Sequence, residues 1–526
     1  MDFPFVLATL VRRRVLLPGR PDRVVRQLTT LGRWGFGLAG EMRSTVARCP
    51  DRMAVVDDTR AVTYAELDLR VRRVANALRT AYGIRPGDPV GVLCHNSVGM
   101  VEVMIAVVTL GARAVLINTG LAANQLEAVV RRQGVRLLFH DEELRPLVTT
   151  TTVPRISLDT GLAELIALAP DDDLRPPGEA GSVVVLTSGT TGTPKGARRR
   201  NPGSMTPLAV VVSRIPLNAG ERMFVAAPLF HTWGLAAFQL CLGLRGTLHV
   251  KRRFDPATMI AHVGQHRCTS LFAVPVMLQR LLEYGLDHDV DAPTLKIVAS
   301  SGSALPGPLA VRFMQVFGPK LYNLYGSTEA SWVSIATPDD LVNAPGTAGR
   351  PPYGTRVAIV DDRGRAVPPG RIGRIFAGND MMFEGYTDGP ARPSTEGLIA
   401  TGDLGHVDRR GLLFVDGRED DMVVSGGENV YPAAVEDIIA ALPQVREVAV
   451  AGVPDAEYGQ RLAAWIALHP GGRLDAGAVR EYVRHRLARF SVPRDVYFID
   501  ALPRNATGKV VHRNLPRPDE FTDVDI

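Results

Sequence analysis

The stretch that most constrains this chain reads Leu186-Thr187-Ser188-Gly189-Thr190-Thr191-Gly192-Thr193-Pro194-Lys195-Gly196 and follows directly on the apolar run 183–185. A short apolar run that opens into glycines and hydroxyls is a buried strand ending in a loop. Such a loop turns backbone N–H groups, hydroxyl donors and one ammonium toward a common point, a set that neutralises a polyphosphate. The loop is not of the GxxxxGK[ST] type, because its spacing is shorter, Pro194 precedes Lys195 and Gly196 follows it. A plain surface turn would not need so many phosphate-type donors together.

The residues on either side alternate between strand and helix patterns. Thr63 with Glu66 three residues on makes a capping box, and Leu67, Val71, Val74 and Leu78 follow at helical spacing. Strand-like runs at 53–56, 89–93, 114–117 and 135–139 are separated by further helical patterns, which predicts parallel sheets sandwiched by helices. After about residue 345 the texture changes to short strands and turns such as Asp361-Asp362-Arg363-Gly364. Beyond Asp420 a last unit of about a hundred residues mixes both patterns. The fold class expected is α/β, mixed with α+β. A large N-terminal domain carries two βαβ-type sheet subdomains and a small β-barrel-like one, and a small mobile α+β lid follows. The boundaries expected are 1–50 for an N-terminal arm, 51–420 for the large domain and 421–526 for the lid.

Composition closes off some partners. Among 526 residues, 60 basic and 55 acidic side chains leave a net charge of +5, too small an excess to indicate a nucleic-acid protein. The four cysteines are scattered without a CxxC pair, which argues against a zinc site and a disulfide scaffold and for a reducing cytoplasm. No run reaches the length of a membrane span, and the apolar start has its arginines after it, so neither a signal peptide nor a transmembrane helix is expected. In the arm, Val24, Leu28, Leu31 and Trp34 fall near helical spacing beside Arg23, Arg26 and Arg33. That pattern suits either a helix packed on the main domain with solvated arginines or peripheral contact with the inner face of a membrane.

Further along, Pro228-Leu-Phe230-His231-Thr-Trp233-Gly234, Ser301-Gly302-Ser303-Ala304-Leu305 and Asn323-Leu-Tyr325-Gly326-Ser327-Thr328-Glu329 succeed the loop. Thr401-Gly402-Asp403, Gly417-Arg418-Glu419-Asp420, Ser425-Gly426-Gly427-Glu428-Asn429-Val430-Tyr431-Pro432 and Pro503-Arg504-Asn505-Ala506-Thr507-Gly508-Lys509 complete the series. In type and order these resemble the motifs of the adenylate-forming superfamily of acyl-CoA synthetases, adenylation domains and luciferases, over residues 45–513 or so. The glycine motif that begins at Ser425 resembles fatty acyl-CoA ligases more than amino-acid adenylation domains.

The resemblance implies a role for each. Residues Thr187 to Thr193 and Lys195 would cradle the phosphates of ATP. Gly302, Ser303, Ala304, Tyr325, Gly326 and Ser327 would bind adenine, with Tyr325 stacking on the base. Thr328 would donate to the α-phosphate, and Glu329 would hold Mg²⁺, a hard ion suited to carboxylate oxygens. Asp403 and Arg418 would hold the ribose. Lys509 would bridge the acid's carboxylate and the α-phosphate, with Asp420 as the hinge of a lid that moves between half-reactions. Gly426 and Gly427 would let the arm of coenzyme A approach the backbone. His231, counted with Lys509, Thr328 and Glu329 in the catalytic group, would border the acyl pocket together with Trp233 and Gly326, or His231 and Trp233 would simply be packed. Arg198-Arg199-Arg200 reads as a solvated charge cluster rather than a site for CoA phosphates.

The function implied is activation of a carboxylic acid, a medium- to long-chain fatty acid being favoured, to acyl-AMP and then acyl-CoA. Its small-molecule partners are the acid, ATP and CoA, and a homodimer is compatible with the family. An aromatic or small-acid CoA ligase, and a fatty acyl-AMP ligase that loads a carrier protein, share these motifs. A non-catalytic binder would be expected to lack Lys509 or Glu329, and both are present.

Overall fold

In the computed structural model, an eight-stranded sheet and a seven-stranded sheet form the body of the molecule. The structure describes residues 3–16, 19–187, 195–288, 290, 292–387, 394–395, 397–425, 428–455 and 459–516. The larger sheet runs in the order Ser334–Ala336, Leu321–Tyr325, Ile297–Ser300, Ser270–Ala273, Arg222–Val225, Thr247–His249, Met53–Val56, Ala61–Thr63. All its inner pairs are parallel and only its two edge strands are antiparallel. In the smaller sheet, Ser182–Thr187, Arg113–Leu116, Pro89–Leu93, Leu137–His140 and Arg155–Ser157 are parallel neighbours. Lys195–Arg198 returns antiparallel beside Ser182–Thr187.

One core joins the two sheets, reaching from Val55 and Leu248 in the first to Val90 and Leu116 in the second. The helix Val98–Thr109 is buried along its whole length, as a helix that is apolar all round must be. Its one acidic residue, Glu102, has no solvent exposure and is held by Arg60 at 3.1 Å and by Arg70. Two guanidinium groups compensate a carboxylate that water cannot reach. The expected capping box is present: the Thr63 hydroxyl accepts from the Glu66 N–H at 3.2 Å and the Glu66 carboxylate accepts from the Thr63 N–H at 2.7 Å.

A third sheet, Arg356–Val360, Gly373–Gly378, Leu398–Val407, Ser394–Thr395 and Leu413–Arg418, is antiparallel throughout. A single turn of 3-10 helix, Glu419–Asp421, leads from it to a fourth sheet made of Val423–Ser425, Glu428–Val430, Gly459–Leu468, Val445–Asp455 and Asp495–Phe498. The helices Pro432–Ala440 and Ala476–Arg484 share a core with this sheet.

The N-terminal arm packs on the body by some of its side chains only. Leu10 is buried, Phe5 stacks on Tyr353 with ring centroids 4.0 Å apart, and Arg13 donates to the Val212 carbonyl at 3.0 Å. Phe3, Val25 and Leu28 stay exposed. No described helix is long and apolar enough to cross a membrane.

Candidate active site

Parallel strands aim their carboxyl ends at one crevice, and ligands of open α/β sheets bind there. The motif residues sit at those ends: Pro228 to Trp233 after Arg222–Val225, Gly302 to Ala304 after Ile297–Ser300, and Gly326 to Glu329 after Leu321–Tyr325. The phosphate loop leaves the end of Ser182–Thr187, and Lys195 begins the returning strand as the register partner of Thr187. Ser188, Gly189, Thr190, Thr191, Gly192 and Thr193 lie outside the described residues, as do Gly426 and Gly427.

Lys195 Nζ lies 5.7 Å from the centre of the Tyr386 ring, and the Tyr386 hydroxyl donates to Glu329 Oε1 at 2.7 Å. Glu329 is buried. The Thr328 hydroxyl meets that of Thr232 at 2.9 Å, and the Ser327 hydroxyl accepts from the Ala330 N–H at 3.0 Å, which fixes the turn that carries both residues. Gly326 answers to the backbone, because a Cβ there would collide with the carbonyl oxygen of Ser331. Ser331 itself has a φ of 60°, a conformation that costs a non-glycine residue energy and is held by its hydrogen bond to the Met381 carbonyl.

Arg199 departs from the sequence reading. Its neighbours Arg198 and Arg200 are exposed, but Arg199 is only 9% exposed and donates to the Thr328 carbonyl at 3.3 Å. Burial pulls its guanidinium down to about 10, and the Glu329 carboxylate opposes that fall. It is therefore a fixed cation behind the Thr328-Glu329 turn. The sequence hid it because three consecutive arginines look alike, while the strand that precedes them points alternate side chains in opposite directions.

Across the crevice, the Tyr325 hydroxyl donates to Asp403 Oδ2 at 2.6 Å. Asp403 and Arg418 are register partners on adjacent antiparallel strands, with Arg418 3.5 Å from Asp403 and 3.8 Å from Asp420. Cross-strand neighbours of opposite charge are thereby aimed at one side of the sheet. The burial of Tyr325 and the Asp403 charge hold its phenol well above the usual range.

Lys509 reaches this group on a tight turn. The Asn505 side chain accepts from the N–H groups of Thr507 and Lys509, each at 3.0 Å, and from the Thr507 hydroxyl at 2.7 Å. Gly508 has a φ of 81°, which favours glycine, and a Cβ on it would run into Val276 and stand 3.3 Å from Val274 of the body. Lys509 is solvent-accessible, yet protein walls it in, as befits a residue that lines a crevice. Its ammonium is pulled down, first by this desolvation and next by the Arg418 charge, while Asp403 and Glu329 hold it up. The site thus brings Glu329, Asp403, Arg418 and Lys509 within electrostatic reach of one another.

His231 belongs to the same field. Burial, then the nearby Lys509 ammonium, pushes its imidazole down to about 4, and its Nε2 is buried with no hydrogen-bond partner among the described residues. Trp233 is packed in the core, with its indole N–H donated to the Ala273 carbonyl at 3.0 Å and its ring 5.2 Å from that of Phe272.

The buried imidazole of His231 makes the stability of the fold depend on pH. Its folded value lies below the unfolded value of about 6.5, so the unfolded chain binds more protons between the two. The stability it contributes is complete above about pH 6.5 and is lost as pH falls toward 4, up to roughly 3 kcal/mol from this residue. Thermal melts from pH 7 to 4 should show a fall that His231→Gln makes shallower. An identical slope in the variant would mean that His231 is not held neutral.

Comparison with known proteins places these features in company. Residues 42–387 match the AMP-binding enzyme family and residues 434–509 match the AMP-binding enzyme C-terminal domain. A feruloyl-CoA synthase from Amycolatopsis sp is 34% identical over 89% of this chain and 96% of its own. A 2-succinylbenzoate–CoA ligase from Geobacillus kaustophilus is 32% identical over 93% and 98%. An o-succinylbenzoate CoA synthetase from Bacillus subtilis, solved with the acyl-adenylate intermediate OSB-AMP, superposes with a TM-score of 0.81 at 28% identity, covering 91% of this chain and 98% of that one. An anthranilate CoA ligase in complex with anthranoyl-AMP superposes at 0.83 with 25% identity, covering 90% and 95%.

Proposed function

The chain belongs to the AMP-binding enzyme family and is an acid–thiol ligase that uses ATP, Mg²⁺ and coenzyme A, and we propose that the acid it activates is aromatic. Relatives of high coverage are named for feruloyl, 2-succinylbenzoate and indoleacetate. The medium- to long-chain fatty acid expected from the spelling of the motif 425–432 has no counterpart among them. That motif lies at the start of the lid, and its spelling does not bear on the part of the acid that distinguishes one substrate from another.

The convergence of Lys509 with Glu329, Asp403 and Arg418 carries the reading as an adenylating site. A carboxylate attacking the α-phosphate brings two anions together, and catalysis must offset both their repulsion and the charge of the transition state. We assign Lys509 to bridge the two. Thr328 donates to the α-phosphate, and Lys195 with the loop that begins at Thr187 holds the leaving phosphates. Tyr325 lies against adenine, and Asp403 and Arg418 take the ribose. Glu329, a buried carboxylate at the strand end, suits a hard divalent ion, which would neutralise phosphate charge there. Asp420, in the single turn between the third and fourth sheets, is the hinge about which the lid swings before CoA enters.

The test is acyl-CoA formation across ferulate, 2-succinylbenzoate, indoleacetate, anthranilate, octanoate and palmitate. We expect kcat/KM for the best aromatic acid to exceed that for palmitate by about a hundredfold or more. A preference for palmitate would restore the fatty-acid reading.

A further inference from the structure

The larger sheet carries a second cluster of side chains that the adenylating site does not use. His249 ends the strand Thr247–His249, His262 projects from the helix Pro256–Gln265, and His266 follows one turn later as that helix's cap residue. Cys268 comes two residues before the strand Ser270–Ala273. His249 Nδ1 and His262 Nε2 are 3.0 Å apart, and the His262 and His266 rings are 4.2 Å apart between centroids. A ligand atom from each of His249, His262 and Cys268 lies within 4.8 Å of the others. All three residues are buried, and His266 is partly open at the rim.

A hydrophobic core does not explain this arrangement. Buried polar atoms nearly always find a partner, and the contact between His249 and His262 accounts for one nitrogen of each. The other nitrogen of His249, Nε2, is buried without a partner among the described residues, on a residue that is only 2% exposed. The charged groups nearby are already engaged: Arg222 donates to the Arg267 carbonyl at 2.7 Å, and Lys251 pairs with Asp58 at 2.6 Å. Three imidazoles and a thiol supply the soft and borderline donors that zinc-class ions take up. Around Zn²⁺, bonds of about 2.0–2.3 Å put neighbouring ligand atoms about 3.3–3.6 Å apart, so small side-chain rotations close the present spacing.

We propose that His249, His262 and Cys268, with His266 at the rim, form a structural site for a divalent transition ion of the zinc class. Binding would release the Cys268 thiol proton to solvent and leave the thiolate on the metal. It would tie two strands of the larger sheet to the helix between them. The second of those strands leads to Val274 and Val276, against which the Lys509 turn rests. The scattered cysteines that argued against zinc in the sequence miss the site because the fold, not a CxxC spacing, gathers its donors.

Tag-free, full-length protein stripped with a chelator should take up one equivalent of Zn²⁺, and Co²⁺ in its place should show tetrahedral ligand-field bands with a thiolate-to-cobalt charge-transfer band. Cys268→Ser should remove the charge-transfer band and weaken Zn²⁺ binding at least about tenfold, while pyrophosphate exchange shows the variant folded. Should that variant fail to fold, Zn²⁺ protection of the wild-type Cys268 thiol from alkylation under mild denaturant gives the same answer. No stoichiometric uptake by the wild type, a cobalt spectrum without the thiolate band, or uptake that Cys268→Ser leaves unchanged would each overturn the proposal.

Discussion

Lys509→Ala should lower acid-dependent ATP–pyrophosphate exchange by about 10²–10³-fold while changing ATP affinity less than about tenfold. The ammonium offsets charge where the acid's carboxylate meets the α-phosphate, and that charge grows in the transition state. Losing such a donor is felt in kcat more than in nucleotide binding. The substitution should leave the lid turn intact, because Asn505 pins it through the backbone N–H of residue 509 and not through the lysine side chain. For the same reason, preformed acyl-adenylate with CoA should still be converted. Loss of that second half-reaction along with the first would point to a collapsed lid and away from a charge effect.

Glu329→Gln should have the second-largest effect, about a hundredfold in adenylation together with a raised Mg²⁺ requirement. Structure gives this variant a second consequence. The buried Arg199 guanidinium lies in the field of Glu329, and removing the carboxylate leaves that cation less compensated. Breaking one partner of a buried charge pair is costly, so the variant should also melt a few degrees lower. Mg²⁺ titrations of the exchange rate, with melts alongside, separate the two effects. Wild-type Mg²⁺ dependence in the variant would remove Glu329 from the metal.

Much of the fold was legible because its signals are local. The Thr63-Glu66 box, the apolar runs of the parallel strands and the glycine-rich turns each express a nearby physical demand. The candidate site was legible as an ordered series of motifs, although residues as far apart as Glu329 and Lys509 meet only through tertiary structure. What stayed hidden depends on direction and burial. Arg199 turns inward between two outward arginines, Tyr386 lies on a two-residue strand with no motif of its own, and the His249 cluster assembles from separate elements. The acid's identity stayed hidden for a related reason: the motifs encode the chemistry at the carboxyl and phosphate, which relatives with different acids have in common.

The most direct test of the central account is a single-turnover reaction of the enzyme with ATP, Mg²⁺ and ferulate or another aromatic acid, first without and then with CoA. We predict one equivalent of pyrophosphate and enzyme-bound aryl-adenylate before CoA is added, then aryl-CoA and AMP afterwards. No pyrophosphate with any acid, or pyrophosphate release that requires CoA, would contradict adenylation at the Glu329, Asp403 and Lys509 site.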